Sequence, residues 1–298
     1  MPLSQVYGRD RFGLSFELFP PKTDAGVTNL FRHVELLMSH RPSFITCTYG
    51  AGGSTQERTL EVIGGVRKQM NVPAATHLTC VGRSRDEIRA YLQRARALGI
   101  DNVVALRGDP PQGETSFRAV DGGFSYANEL VELIRSACSE MGIAVAGYPE
   151  THQEAPSPEI DLENLKRKVD AGADIVLTQL FYDNADFFRF RERCEAAGIS
   201  QPIVPGLLPV TNGAQIQRIA SLCGAKLPAD FIESLQQHED GSEGQFDVGV
   251  QQAVCQTQEL LDNNVPGIHF YVLNKSAATS QVLSSVELPG RPTDREKQ

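Results

Sequence analysis

Apolar residues along this chain follow two alternating rhythms. Short runs such as Val103-Val-Ala-Leu106 are apolar at every position and rich in β-branched residues, as expected of strands covered on both faces. Between such runs the apolar residues step by three and four, as on amphipathic helices. Val27, Leu30, Phe31, Val34, Leu37 and Met38 do so in one segment, and Ile88, Tyr91, Leu92, Ala95 and Leu98 in another. Strand-like runs fall at 13–18, 43–48, 74–79, 102–106, 143–148, 174–180, 202–207 and 267–273, which makes eight. Four helical segments end at Gly99, Gly142, Gly172 and Gly198, each followed by a strand run. A glycine there suits the left-handed residue that closes a helix. Helix stops that feed strands, repeated along a chain, require parallel strands with helical crossovers. Ser54 and Ser84 stand three residues before Glu57 and Glu87, the spacing of reciprocal capping boxes.

Eight strand–helix units in 298 residues predict an α/β fold, a (β/α)8 TIM barrel, as one domain over 1–298. The segment 226–264 is longer than a single crossover needs, so it is read as added helices before the eighth strand. A doubly wound open sheet is the other arrangement of such units, but no Gly-x-Gly-x-x-Gly follows any strand run. With 28 Lys and Arg against 37 Asp and Glu, the formal charge of −9 disfavours nucleic acid and anionic membranes as partners. Cys47, Cys80, Cys138, Cys194, Cys223 and Cys255 are scattered and read as buried thiols of a reducing compartment. The first residues lack a signal-peptide apolar region and no membrane-length apolar run follows, so a cytoplasmic protein is expected.

Barrels place their chemistry at the C-terminal ends of the strands, and the strand runs here end in polar residues. The first alternates so that Gly13, Ser15 and Glu17 share one face and Leu14, Phe16 and Leu18 the other, which turns a carboxylate into the mouth. The second ends in Thr48-Tyr49-Gly50-Ala51-Gly52-Gly53, and the third carries His77. The fourth ends in Arg107-Gly108-Asp109, the fifth in Tyr148-Pro-Glu150-Thr-His152, the sixth in Gln179, and the eighth runs into Asn274-Lys275. His77, Asp109, Glu150 and His152 are metal-ligand types, but none has the close helical spacing of a metal motif, so no metal is expected. Burial of Glu17 among Phe16, Phe19 and a stacked flat ligand is expected to raise its pKa. Glu17 and Asp109 could alternatively serve as the acid–base pair of a barrel hydrolase.

The chain resembles the methylenetetrahydrofolate reductases, flavin-dependent enzymes of one-carbon metabolism. The resemblance spans nearly its whole length in nine phrases, in order. They include Ser15-Phe-Glu-Leu-Phe-Pro-Pro-Lys22, Thr48-Tyr-Gly-Ala51, Thr76-His-Leu-Thr-Cys80, Ala105-Leu-Arg-Gly-Asp109 and Tyr148-Pro-Glu-Thr-His152. Asn164-Leu-Lys-Arg-Lys-Val-Asp-Ala-Gly-Ala173, Thr178-Gln-Leu-Phe-Tyr-Asp183, Pro205-Gly-Leu-Leu-Pro-Val210 and His269-Phe-Tyr-Val-Leu-Asn274 complete the set.

This resemblance implies a flavin barrel in which Glu17 is the general acid and Asp109 sits beside the isoalloxazine. It implies that Thr48, His77, Arg107, Gly108, Asp109, Tyr126, Ala127, Tyr148, His152, Asp161, Asn164, Arg167 and Lys168 hold FAD. Glu17, Thr48, Asp109, Gln179, Gln215 and Lys275 would meet the folate. NADH or NADPH would be the electron donor, and the protein would be a homo-oligomer. Arg107, Arg167 and Lys168 are the residue types that neutralise a diphosphate, and Asp161 and Asn164 those that bond ribose hydroxyls. A flavin-binding barrel without turnover is the remaining alternative. Two features depart from the family pattern: Lys275 stands where an arginine is common, and 214–222 offers no aromatic to stack on substrate, Ile219 being nearest. The chain is read as ending soon after the barrel, without the regulatory domain of longer relatives.

Overall fold

The computed structural model describes residues 1–7, 11–48, 56–110 and 117–290. The loop Tyr49–Gly53 and the capping serine Ser54 lie outside the described residues. A 3-10 turn (Leu3–Gln5) leads to β1 (Gly13–Leu18), α1 (Asp24–Met38), β2 (Phe44–Cys47), α2 (Gln56–Met70) and β3 (Ala74–Thr79). Then come α3 (Arg85–Ala97), β4 (Asn102–Leu106), α4 (Ala127–Ala137), β5 (Gly142–Gly147), α5 (Pro158–Asp170), β6 (Ile175–Thr178) and α6 (Asn184–Ala196). The chain continues through β7 (Ile203–Val204), β8 (Gly206–Leu207), α7 (Gly213–Cys223), α8 (Ala229–Gln236), α9 (Glu243–Asp262), β9 (Gly267–Tyr271) and α10 (Ala277–Ser285). The capping box at Ser84 forms in both directions with Glu87. The added helices before the last strand are α8 and the front of α9.

All strand pairs are parallel, in the order β7-β6-β5-β4-β3-β2-β1-β9-β8. The two ends of that order are neighbours in sequence, parted by Pro205 alone. Ile203 and Val204 pair with β6, whereas Gly206 and Leu207 pair with β9. β7 and β8 are therefore two halves of the single strand expected over 202–207, and the ring of eight closes as a TIM barrel. Proline has no N–H to give the ladder, which accounts for the break, although its carbonyl still accepts from the His269 N–H at 2.9 Å. Two further bonds tie the break to β6. The Gly206 N–H donates to Thr178 Oγ1 at 2.9 Å and the Tyr271 hydroxyl to the Thr178 carbonyl at 2.8 Å.

The period-two alternation of the strands sorts the core into layers. Leu14, Phe16 and Leu18 face outward and pack with Leu30, Val34 and Leu37 of α1 in the main core. Inside the ring, Phe44, Ala75, Val104, Ala144, Ile175 and Val204 form a separate cluster, which Leu3, Val6 and Tyr7 join from the N-terminal segment. Each fully buried large apolar side chain of this plug stabilises by about 1.5–3 kcal/mol. The plug fills one end of the barrel with hydrocarbon, so the polar inward positions gather at the other.

Gly142 corrects one expectation. Gly99, Gly172 and Gly198 do have positive φ, but Gly142 does not; α4 has already ended, with Cys138 as its cap. Gly142 begins β5, where a Cβ would lie 2.3 Å from Asn102 Oδ1 and 2.4 Å from the Leu3 nitrogen. Its smallness admits the plug, whose Leu3 N–H donates to Asn102 Oδ1 at 2.9 Å. The thiols also differ from expectation: Cys47, Cys80, Cys138 and Cys194 are buried, but Cys223 is half-buried and Cys255 exposed.

Candidate active site

Glu17 points into the mouth of the barrel, as the alternation of β1 predicts, but its surroundings differ from those expected. Phe16 is fully buried in the outer layer and Phe19 is exposed, so neither encloses the carboxylate. Two imidazoles do. His77 Nε2 of β3 lies 3.1 Å from Glu17 Oε2, and His269 Nε2 of β9 lies 3.6 Å from the same oxygen. His269 is completely buried, stacks on Phe44, and shares a 2.8 Å hydrogen bond between Nδ1 and Ser15 Oγ. Ser15 and His269 are register partners across β1 and β9, which sets that bond. Burial pushes the Glu17 pKa up, but Coulombic attraction and hydrogen bonding from the two histidines outweigh it and lower the carboxyl to about 2. Among the protein's own groups, then, the shift runs downward.

The flank formed by β4, β5 and their loops holds most of the residues expected at a cofactor. Gly108 has φ +87, and a Cβ there would meet Val81 and Thr79 at 2.7 and 2.9 Å, so the Arg107-Gly108-Asp109 turn lies tight on β3. Both guanidinium ends of Arg107 bond Glu154 at 2.7 Å, a partner that sequence reasoning missed. Asp109 itself is exposed beyond that turn. Thr48 follows β2, and its carbonyl accepts from the Thr59 hydroxyl at 2.9 Å. Tyr126 and Ala127 start α4; the Tyr126 ring is exposed and its N–H donates to Glu129.

In the β5–α5 loop, Thr151 adopts φ 78, and Tyr148 meets His152 edge-on at 4.6 Å between ring centroids. Asp161, in the first turn of α5, accepts from the His152 N–H at 3.0 Å and so fixes this loop. Burial, reinforced by Arg107, lowers the His152 pKa. Arg167 and Lys168 are consecutive on α5 and point apart. Arg167 is exposed beside Asn164 and Glu163, whereas Lys168 turns toward the Ala146 carbonyl and the Tyr148 ring. Burial lowers the Lys168 pKa to about 8, with Asp161 pulling the other way. Glu150 fastens the loop differently, accepting from the Lys226 N–H. No three His, Cys, Asp or Glu side chains among the described residues are grouped to hold a metal.

The opposite flank comes from β6, β8, β9 and the helices after them. Gln179 follows β6, its side-chain oxygen accepting from the Leu180 N–H. Gln215 and Lys275 meet on a cleft of about 620 Å³, with Thr211, Asn212, Glu243 and Phe246 also in its wall. Leu273 and Asn274 have consecutive positive φ, 44 and 61, a strained turn that delivers Lys275 to the cleft. Asn274 also clasps the backbone of Phe19 through both its amide groups, at 2.8 and 2.7 Å, tying this turn to the loop after Glu17.

The sequence reading named Glu17 and His77, which the structure brings together, but named neither His269 and Glu154, which pair with Glu17 and Arg107, nor Phe246, which lines the cleft. His269 was within reach, since alternation along β9 puts Gly267, His269 and Tyr271 on the inner face. Glu154 and Phe246 had no local signal.

The family model for methylenetetrahydrofolate reductase matches residues 3–287. The chain is 38% identical over 274 residues to "5,10-methylenetetrahydrofolate reductase" of Escherichia coli, covering 92% of this chain and 90% of that protein. It is 39% identical over 296 residues to "Methylenetetrahydrofolate reductase (NADH) 1" of Arabidopsis thaliana, covering 96% of this chain but 50% of the relative. It therefore spans about half the length of such plant relatives. Among solved structures, a Clostridium thermocellum protein that binds two copies of 5-methyl-5,6,7,8-tetrahydrofolic acid aligns with a TM-score of 0.59 at 13% identity. It covers 93% of this chain and 94% of its own, a likeness of fold alone.

Proposed function

Because the chain belongs to the methylenetetrahydrofolate reductase family, we propose that it reduces 5,10-methylenetetrahydrofolate to 5-methyltetrahydrofolate, using FAD with NADH or NADPH as donor. The observation that carries this reading is Glu17 held between His77 and His269 at the barrel mouth. Opening the five-membered ring of the substrate requires a proton at N10, and leaves an N5 iminium cation that then accepts hydride. Glu17 delivers that proton. In the open site the two histidines hold Glu17 as a carboxylate. Desolvation of the carboxyl by bound ligands favours the form in which Glu17 carries the proton. Ser15 fixes the His269 ring by engaging Nδ1, which leaves Nε2 toward the carboxylate. A general acid so placed contributes about 100- to 10,000-fold. Asp109, as an anion at the mouth, stabilises the iminium cation.

The residues of the β4–β5 flank suit FAD. His77 Nδ1 is buried with no hydrogen-bond partner among the described residues, an orphan that a ligand would satisfy. Arg107, Lys168 and Arg167 supply cationic charge for a diphosphate, Asp161 and Asn164 polar groups for a ribose, and Tyr148 an aromatic face. Thr48, Gly108, Tyr126, Ala127 and His152 complete the proposed cradle, while Gln179, Gln215 and Lys275 face the folate. Held in this cradle, FAD would supply hydride transfer between the nicotinamide and the substrate. We take residues 1–298 as a single catalytic barrel acting in the cytoplasm as a homo-oligomer; no described helix is long and apolar enough to cross a membrane.

The test is made on purified protein. A yellow colour that NADH or NADPH bleaches without oxygen, and that 5,10-methylenetetrahydrofolate restores, is the expected result. A colourless protein, or colour that the folate fails to restore, overturns the reading.

A further inference from the structure

We propose that Glu154 is a positioning residue for the flavin: it holds the Arg107 guanidinium in a single orientation, so that a diphosphate meets a cation already placed. This rests on the proposed use of FAD, and gives Glu154 a role through Arg107 and not on the flavin itself.

Arg107 follows β4 and Glu154 lies in the β5–α5 loop, 47 residues further on. The two guanidinium ends donate to different oxygens of the one carboxylate at 2.7 Å, Nη1 to Oε2 and Nη2 to Oε1. Nε donates to the Gly108 carbonyl at 3.3 Å, and the Phe117 ring centroid lies 5.4 Å from Cζ. The orientation of the guanidinium is therefore set on three sides. Two of its five N–H groups are not used in these bonds.

Glu154 is itself fixed. Its N–H donates to His152 Nδ1 at 3.1 Å and the Ala155 N–H to the His152 carbonyl at 2.9 Å, which folds 152–155 into a tight turn. Stability does not account for the pair. The Arg107 side chain is 24% exposed and that of Glu154 53%, and ion pairs this open add little. A bidentate pair does confer geometric specificity. A carboxylate near a diphosphate also repels it. Its presence on this flank makes sense where the order it gives Arg107 outweighs that repulsion, because a free arginine is immobilised only at a cost to binding.

Equilibrium titration of the flavin-free protein with FAD tests this, together with the side-chain nitrogen signals of Arg107 in NMR spectra. Glu154→Gln should weaken FAD binding about two- to tenfold, the cost of ordering one freed side chain. Loss of an anion alone would tighten binding, so the sign separates the two roles. In an Arg107→Ala background the same substitution should weaken binding no further. In the parent without flavin, slow rotation should resolve the Nη–H signals of Arg107, and they should merge in Glu154→Gln. Unchanged or tighter binding by Glu154→Gln overturns the inference. Equal weakening in both backgrounds does so too, by making Glu154 a general support of its loop. A parent that binds FAD without resolved Arg107 signals overturns the inference alone. A parent that shows those signals but takes up no FAD overturns the proposed use of flavin, and the inference with it.

Discussion

Around the β4–β5 flank of the mouth, Arg107, Asp161 and Lys168 already have partners within the protein. Arg107 grips Glu154, Asp161 holds the His152 N–H, and Lys168 reaches the Ala146 carbonyl. Across the mouth, no hydrogen bond or ion pair among the described residues engages the ammonium of Lys275 or the side-chain amide of Gln215, though the backbone beneath them is firmly set. A flank whose groups hold one another is shaped in advance, as suits a resident cofactor. A flank with fixed backbone and unpaired side-chain tips suits a ligand that comes and goes. Glu17 lies where the two flanks meet.

The largest effect is expected there. Glu17→Gln should slow reoxidation of the reduced protein by methylenetetrahydrofolate at least ~100-fold while reduction by nicotinamide proceeds nearly as before. Stopped-flow measurement of each half-reaction decides it; equal slowing of both would make Glu17 a structural partner of the two histidines.

Next in size is a split within the cofactor flank. Lys168→Ala should lower flavin affinity by more than about tenfold, the loss of one charge-assisted bond. Arg167→Ala should cost only a few-fold, because that side chain faces solvent. Equal losses in equilibrium flavin titrations would show that α5 presents both cations to the diphosphate.

A pH dependence sharpens the same point. Lys168 is held near pKa 8, and a diphosphate favours its ammonium form. Flavin affinity of the flavin-free protein should therefore be complete below pH 8, and fall as pH rises through it by up to about tenfold per unit. Lys168→Arg, always charged, should flatten this segment of the profile. An unaltered slope in the arginine variant would assign the titration elsewhere.

The smallest effect belongs to the open flank. Lys275→Ala should raise the Michaelis constant for folate several-fold with little change in turnover, as for a contact made equally in ground and transition states. A collapse of turnover at constant Michaelis constant would move Lys275 into the chemistry.

Legibility in the sequence followed the range of the interactions concerned. β1, β3 and β4 match their apolar runs residue for residue, because alternation, β-branching and flanking breakers are local properties. The environment of Glu17 is a long-range property: the Ser15–His269 bond spans 254 residues of chain. Burial was inferred from Phe16 and Phe19, which adjoin Glu17 in sequence but not in the site. The same holds for Gly142, where position after a helix indicated a cap and the true constraint is contact with Leu3. The pairing of Arg107 with Glu154 joins two loops whose approach no periodicity encodes.

The break at Pro205 has a mechanical consequence. A closed tube resists twisting because every stave is bonded on both edges, whereas a tube slit along its length twists easily. This barrel is closed but most thinly bonded between β6 and β9, where each half-strand carries two residue pairs. The Tyr271 hydroxyl on the Thr178 carbonyl acts as a rivet across this seam. The seam runs up to Gln179 on one lip and toward Lys275 on the other. Gln179 and Lys275 therefore stand beside the shortest ladders of the tube, where side-chain bonds add to the backbone pairing, while Arg107, Tyr148 and His152 follow strands paired along their lengths.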